Sequence, residues 1–174
     1  MDMELFKQMS KLFYFIKNNL FFIAILLVIM MNSKSFINNF KSEGHKWPHN
    51  KKLLSSVQGK PFRFQNRPQL VVFWATWCGP CKIELKRIQF MIHQKWIQAE
   101  DVLAISIDEN LADVVNVIDK NKYTFPIVFG KHYPEIIDQV ISTPTLLILK
   151  GNGDILWQTS GASLFLEARL LYYM

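Results

Sequence analysis

The feature of this sequence that most constrains its fold is a continuous apolar run that leads directly into a helical pattern. The run, Leu70–Ala75, has the sequence LVVFWA and contains no charged or amide residue. Such a run is typical of a strand that is buried on both faces of a sheet. Apolar side chains then recur at spacings of three and four, which predicts an amphipathic helix packed on that strand. They are Cys81, Leu85, Ile88, Ile92 and Trp96.

Further elements extend this unit into one α/β domain, as the length of 174 residues also favours. Two apolar runs flank Gly151–Asp154 (GNGD), which is a strong hairpin pattern. The elements predicted after the first helix are a strand at Val102–Ile107, a helix at Leu111–Lys120, hairpin strands at Thr145–Leu149 and Ile155–Thr159, and a helix at Ala162–Tyr173. This order predicts a central mixed sheet with helices on both faces.

A second apolar run, Leu20–Met31, lies near the N-terminus. As a helix it would be about 18 Å long, which is short of the roughly 30 Å hydrocarbon core of a membrane. Extending it back to residue 12 includes Lys17, whose ammonium group could reach the headgroups. We therefore expect a transmembrane signal anchor over residues 12–31. The alternatives are a signal peptide cleaved at the weak site Ser33–Ser35 and a buried helix of the domain.

Lysines around this run predict its orientation. Three lysines precede the run, so the positive-inside rule places residues 1–11 in the cytoplasm, although two lysines that follow closely weaken the asymmetry. Residues 32–56 are rich in Asn, Ser and Lys and are predicted to form a tether. Residues 57–174 are then expected to form the domain on the periplasmic or extracytoplasmic side of the inner membrane.

The positive charge of the chain belongs to its N-terminal part. The net charge is +6, yet residues 1–52 hold eight lysines against three acidic residues, whereas residues 53–174 hold 12 basic and 11 acidic residues. A nearly neutral domain offers no general electrostatic surface for a phosphate backbone. Nucleic acid is therefore excluded as an expected partner.

The two cysteines of the chain form the motif Cys78-Gly79-Pro80-Cys81 between the predicted strand and helix. The free N–H groups and partial positive charge of a helix N-terminus stabilise a thiolate at Cys78. Pro80 suits the first turn, where no N–H partner is needed. Cys81 lies about one turn further, close enough to attack a mixed disulfide formed by Cys78. The motif therefore predicts a nucleophilic Cys78 and a resolving Cys81 that alternate between dithiol and disulfide forms.

Other uses of the two cysteines fit the sequence less well. A structural zinc site would also need His45 and His49, but these histidines precede the cysteines in the predicted tether. Haem attachment would need a histidine at the position of Lys82. A purely structural disulfide that closes so short a loop would stabilise the domain little. We expect no metal and no cofactor.

The segment FWATWCGPCKIEL resembles the active-site segment of the thioredoxin superfamily, and specifically of its membrane-anchored TlpA/ResA-type branch, which includes CcmG-like and ScsD-like proteins. The segments Tyr123–Pro126 and Ser142–Thr145 are also similar to that family. The resemblance implies a thioredoxin-like fold and thiol–disulfide exchange outside the cytoplasm. It further implies that Pro144 is a cis-proline facing the cysteine pair and that the backbone of Thr143 pairs with the substrate's extended chain.

Glu84 lies three residues after Cys81, where TlpA/ResA-type proteins often carry a glutamate that moves protons on and off the cysteines. A carboxyl group in a partly apolar site has a raised pKa, as proton transfer near neutrality requires. The alternative is a solvated ion pair with Arg87. The sequence departs from the family at Val72, where thioredoxin has a buried aspartate, and at Lys86, where a proline is frequent. The first departure leaves Glu84 as the main candidate proton carrier, and the second predicts a helix without a kink.

Together these features predict a membrane-anchored thiol:disulfide oxidoreductase that acts on protein substrates, with Trp77 offering them an apolar contact. The Gly-Pro dipeptide resembles that of reducing thioredoxins, which favours a protein-disulfide reductase supplied with electrons by a membrane thiol donor. The roles resemble cytochrome c maturation or repair of wrongly oxidised cysteines. The alternatives are a protein thiol oxidant of the same fold and a non-enzymatic module that binds a soft metal such as Cu(I).

Overall fold

The computed structural model describes residues 45–47, 52–138 and 140–174, together with the isolated positions 19, 20, 22, 25, 26 and 30. The chain divides into two compact units, Met1–Ile37 and Asn38–Met174.

In the first unit, the five described positions from Leu20 to Met30 are helical and exposed. The predicted cytoplasmic segment 1–11 and most of the predicted anchor 12–31 lie outside the described residues. Within the part of the chain that is described, no helix has both the length and the apolar character needed to cross a membrane.

The second unit contains a five-stranded mixed sheet and a separate two-stranded sheet. The strands are β1 Leu54–Ser55, β2 Pro61–Phe62, β3 Gln69–Trp74, β4 Val102–Ser106, β5 Ile127–Phe129, β6 Thr145–Leu149 and β7 Ile155–Ser160. The helices are α1 Gly79–His93, α2 Leu111–Asn121, α3 Pro134–Ile137 and α4 Leu166–Tyr173. The large sheet has the order β5-β4-β3-β6-β7, in which β3, β4 and β5 are parallel and β6 and β7 are antiparallel to their neighbours.

Strand β3 is central in this sheet, and all six of its residues are buried. Its alternate side chains enter two separate cores. On one face, Leu70, Val72 and Trp74 share a core with buried residues of α1, α2 and α4. On the other face, Val71 and Phe73 share a core with residues of α3 and β2. The prediction of a mixed sheet with helices on both faces is therefore confirmed.

The domain begins before Val57, within the segment predicted as a tether. Leu54 is fully buried in β1, and Ser56 forms a bridge to Val128 at the edge of the large sheet. Trp47 is also buried, and its ring packs edge-on against Phe64 with 5.2 Å between ring centroids. Apolar side chains scattered among polar ones produce no local periodicity, which is why the sequence pattern did not reveal these contacts.

Two predicted helix boundaries differ from the structure. Helix α1 ends at His93, so Trp96 lies beyond it with its side chain partly exposed. Helix α4 begins at Leu166 and not at Ala162. The preceding segment is not helical, because its backbone N–H groups bind other parts of the domain. Gly161, which has a positive φ, donates its N–H to Pro144 O, and Ser163 donates its N–H to Glu84.

Candidate active site

The cysteine pair lies where β3 ends and α1 begins. Cys78 is the N-cap residue of α1, Pro80 lies in the first turn, and Cys78 and Cys81 form a disulfide. The backbone N–H of Cys81 donates to the Cys78 Sγ atom at 3.2 Å. A thiolate at Cys78 would accept the same N–H, which is one of the helix donors that have no partner within the helix. The helix N-terminus thus places a backbone N–H at this sulfur, where the sequence predicted stabilisation of a thiolate.

The two sulfurs differ in their access to solvent. Cys78 retains 5% exposure, whereas Cys81 is fully buried beneath it in the core. Trp77 stands beside the pair with 70% of its surface exposed, while Trp74 is part of the core. An attacking sulfur would therefore meet Cys78 first, and a bound partner would meet the Trp77 ring.

Pro144 lies beside the loop that leads to Cys78. In the antiparallel pairing of β3 with β6, Phe73 is opposite Thr145, so residues 143 and 144 lie next to the end of β3. Pro144 is buried, and the Thr143–Pro144 peptide bond is cis, as the resemblance implied. The carbonyl of Pro144 accepts the N–H of Gly161 at 2.7 Å.

Glu84 is fully buried, although the alternative prediction was a solvated carboxylate. It lies one turn after Cys81 in α1, so the two side chains share a helix face. One Glu84 oxygen accepts the N–H of Ser163 at 2.6 Å, and both oxygens accept from Arg87 Nη1 at 3.1–3.2 Å. The predicted Arg87 partner is therefore present, but the pair is built into the domain.

The surroundings of Glu84 act on its pKa in opposite directions. Burial raises the pKa most strongly, and the negative charge of Glu167 raises it further. The Ser163 N–H and the positive charge of Arg87 lower it, but the net effect leaves the pKa above its ordinary value. Such a carboxyl group is better suited to exchange a proton near neutrality than an exposed one.

Asp108 is a buried residue of the site that the sequence analysis did not single out as functional. Its carboxylate accepts the backbone N–H of Thr76 at 3.0 Å and the hydroxyl groups of Thr76 and Ser106, both at 2.6 Å. Since Ala75 O in the same loop accepts the N–H of Cys78, Asp108 helps to fix the backbone that leads to Cys78. A usable sequence signal was its position just after β4, because the carboxyl ends of parallel neighbouring strands meet at one edge of a sheet.

Among the residues that the structure describes, no group of three or more His, Cys, Asp or Glu side chains is placed to hold a metal ion. His49, which was weighed as a zinc ligand, lies outside those residues. The two cysteines bind each other.

A central β3, a cysteine pair at the N-terminus of α1 and a neighbouring cis-proline together define a thioredoxin-like dithiol–disulfide domain. The sequence pattern of the AhpC/TSA family matches residues 44–154. The chain belongs to this family.

Named relatives are similar to the chain. A thioredoxin-like protein of Haemophilus influenzae is 31% identical over 137 residues, which are 71% of this chain and 75% of that protein. The thiol-disulfide oxidoreductase ResA of Oceanobacillus iheyensis is 32% identical over 104 residues, which are 59% of this chain and 50% of that protein. Sporulation thiol-disulfide oxidoreductase A of Bacillus subtilis is 28% identical, and the match spans 66% of its length.

The fold is also similar to that of a solved structure. StoA from Bacillus subtilis superposes with a TM-score of 0.60 at 25% identity, covering 70% of this chain and 93% of that one. The thioredoxin-like fold implied by the sequence is therefore confirmed.

The contacts of Asp108 generate a stability prediction. We expect Asp108→Ala to lower the free energy of unfolding of the oxidised chain by about 1–3 kcal/mol, because it leaves a partly buried N–H and two hydroxyl groups without their acceptor. Asp119→Ala, on the exposed face of α2, is the matched control and should change it by no more than about 0.5 kcal/mol. Denaturant unfolding measures both variants, and equal effects would show that the buried contacts do not stabilise the loop.

Proposed function

We propose that this chain is a thiol–disulfide oxidoreductase that exchanges disulfides with protein substrates through Cys78 and Cys81. The observation that carries the proposal is the Cys78–Cys81 disulfide at the N-terminus of α1, in which Cys78 retains slight exposure to solvent and Cys81 is fully buried. The names of the relatives ResA and sporulation thiol-disulfide oxidoreductase A support the same chemistry.

In the direction of substrate reduction, the Cys78 thiolate attacks a substrate disulfide. The substrate S–S bond breaks, one substrate sulfur leaves as a thiolate, and the other stays bound to Cys78. Cys81 then loses its proton and attacks Cys78 Sγ, which releases the second substrate sulfur and forms the Cys78–Cys81 disulfide. Two electrons have passed to the substrate, and a dithiol donor must return them before the next cycle.

Glu84 is the proposed acceptor of the Cys81 proton. It lies on the same face of α1 one turn away, and burial raises the pKa of its carboxyl group. A fully buried thiol needs such a nearby group, because water does not reach Cys81 in the folded domain. The proton of the substrate thiolate would come from solvent at the exposed side of the pair.

The substrate is proposed to bind across the surface formed by Trp77 and the segment before β6. Trp77 would contact an apolar side chain of the substrate, and the half-buried Thr143 would pair through its backbone with an extended substrate segment. Pro144 follows Thr143 and lies beside the loop that leads to Cys78. Recognition through backbone pairing suits an enzyme that acts on several proteins, since every extended chain offers the same N–H and C=O groups.

We further propose that the enzyme works as a reductase, supplied by a membrane thiol donor, in cytochrome c maturation or in repair of wrongly oxidised cysteines. The Gly79-Pro80 dipeptide between the cysteines supports this direction by its resemblance to reducing thioredoxins. A protein thiol oxidant of the same fold is the alternative.

The proposed location is the outer face of the inner membrane, with residues 12–31 as an uncleaved anchor and the domain in the periplasmic or extracytoplasmic space. The apolar run Leu20–Met31 and the lysines before it support this arrangement. An oxidising compartment also suits a chain whose two cysteines form one reactive pair.

The exchange reaction predicts different behaviour for the two cysteine variants. Cys78→Ser should abolish reduction of insulin under dithiothreitol turnover, because the remaining thiol, Cys81, is fully buried. Cys81→Ser should accumulate a mixed disulfide with a protein substrate, because the resolving sulfur is missing. Gel separation without reductant detects this adduct, and mass spectrometry identifies the partner.

The double variant Cys78→Ser, Cys81→Ser is the control and should form no adduct. Full turnover by Cys78→Ser would contradict the proposed chemistry. An unmodified chain that fails to reduce insulin but binds Cu(I) through both sulfurs would instead favour the metal-binding module.

The proposed topology predicts which introduced cysteines are accessible from outside the inner membrane. In the chain without Cys78 and Cys81, Ser35→Cys should react with an impermeant maleimide once the outer membrane is opened. Ser10→Cys should react only after the inner membrane is also permeabilised. The reverse pattern would contradict the orientation, and labelling of both from outside would contradict the anchor.

A further inference from the structure

Arg87 binds two carboxylates and a backbone carbonyl at once. Its Nη1 atom donates to both oxygens of Glu84 and to the carbonyl of Ser163. Its Nε atom donates to Glu167 at 2.7 Å, and its Nη2 atom donates to the other Glu167 oxygen. This is the two-pronged geometry by which an arginine fixes a carboxylate, and here Glu167 receives it.

These contacts join α1 to the segment that precedes α4. Ser163 donates its N–H to Glu84 and accepts from Arg87 through its carbonyl. This one residue therefore contacts both members of the Glu84–Arg87 pair from the side opposite α1. Two residues earlier, the N–H of Gly161 binds the carbonyl of Pro144. The segment Gly161–Ser163 therefore connects the proposed substrate-binding loop with the buried carboxylate.

We infer that Arg87 is a positioning residue for Glu84, and that Glu167 of α4 shares the same guanidinium group with Glu84, so that Arg87 and Glu167 control the protonation of the buried Glu84 carboxyl group. The inference rests on the proposed function in one respect, since Glu84 is there the proton acceptor of Cys81. The contacts themselves belong to the described residues and do not depend on that role.

The charges around Glu84 give each partner a definite sign. Arg87 faces it from its own helix and favours the ionised carboxylate, whereas Glu167 faces the network from α4 and opposes ionisation. The guanidinium group likewise lowers the pKa of Glu167. The Cys78–Cys81 disulfide on the same side of α1 carries no charge in the oxidised state.

The arrangement differs from an ordinary structural ion pair in how its members are exposed. Glu84 is fully buried, the Arg87 side chain is 26% exposed, and the Glu167 side chain is 37% exposed. A surface carboxylate thus shares a guanidinium group with a buried one. Removing Glu167 leaves Arg87 bound to Glu84 and Ser163, and the Arg87 charge is then no longer shared with a second carboxylate.

The test is a pH titration of the Glu84 carboxyl group in the oxidised full chain, monitored by carbon-13 NMR with labelled glutamate. The Glu84 signal is the one that disappears in Glu84→Gln. We expect Arg87→Gln to move its midpoint to higher pH by about one unit or more, because burial then acts without the neighbouring positive charge. We expect Glu167→Gln to move the Glu84 midpoint to lower pH. Arg87→Lys keeps the positive charge and should therefore raise the midpoint less than Arg87→Gln does.

The matched control is Lys86→Gln, which removes one positive charge from the adjacent, exposed position of α1. It should leave the Glu84 midpoint unchanged, because an exposed charge is screened by solvent. If Arg87→Gln does not fold, the direction measured for Glu167→Gln decides, since that side chain is partly exposed and lies at the rim of the network. Equal midpoints in all variants would overturn the inference, and so would a shift to higher pH in Glu167→Gln.

A second measurement separates this inference from the proposed function. The pH profile of insulin reduction should contain a step whose midpoint follows the Glu84 titration midpoint in each variant. This step should be absent in Glu84→Gln. If the NMR midpoint moves as expected while Glu84→Gln leaves the profile unaltered, the control of protonation stands and the proposed proton transfer fails. If the profile depends on Glu84 but Arg87→Gln and Glu167→Gln do not move its midpoint, the proton transfer stands and the inference fails.

Discussion

The burial of β3 on both of its faces is the constraint on which the rest of the structure depends. Each of its six residues is removed from solvent, and a strand of this kind is stable only when layers cover both sides. Helices α1, α2 and α4 meet that requirement on one face, and α3 with β1 and β2 meets it on the other. The chain leaves this strand after Trp74, and the cysteine motif begins four residues later. The position of Cys78 is thus a consequence of the core.

The same helix that presents Cys78 also buries a carboxylate, which is costly unless it is compensated. Glu84 occupies a position on α1 beside Leu85 and Ile88, where an apolar side chain would pack at no such cost. The domain compensates with an N–H from Ser163 and a guanidinium group from Arg87. A carboxyl group with a raised pKa that is retained in the core, one turn from Cys81, is the kind of perturbed group that marks functional sites. Stability and proposed chemistry therefore depend on the same few contacts.

The sequence predicted best the features that local patterns determine. The apolar run at β3, the first turn of α1 and the hairpin of β6 and β7 each have a periodicity or a turn signal within a few residues. It predicted less well the features that depend on distant residues. Arg87 and Glu167 are 80 positions apart, and Thr76 and Asp108 are 32 apart, so no periodicity links either pair. The same reason explains why Trp47 and Leu54 were assigned to a tether, since their partners lie in other parts of the domain.

In the proposed function, the Cys78–Cys81 pair passes electrons to protein substrates as a reductase. The most direct test is the reduction potential of the pair in the full chain, measured by equilibration with glutathione or dithiothreitol. We predict a value near that of reducing thioredoxins, about −270 mV, at which the dithiol form is a strong electron donor. A value near −120 mV, about the potential of a strong protein thiol oxidant, would contradict it.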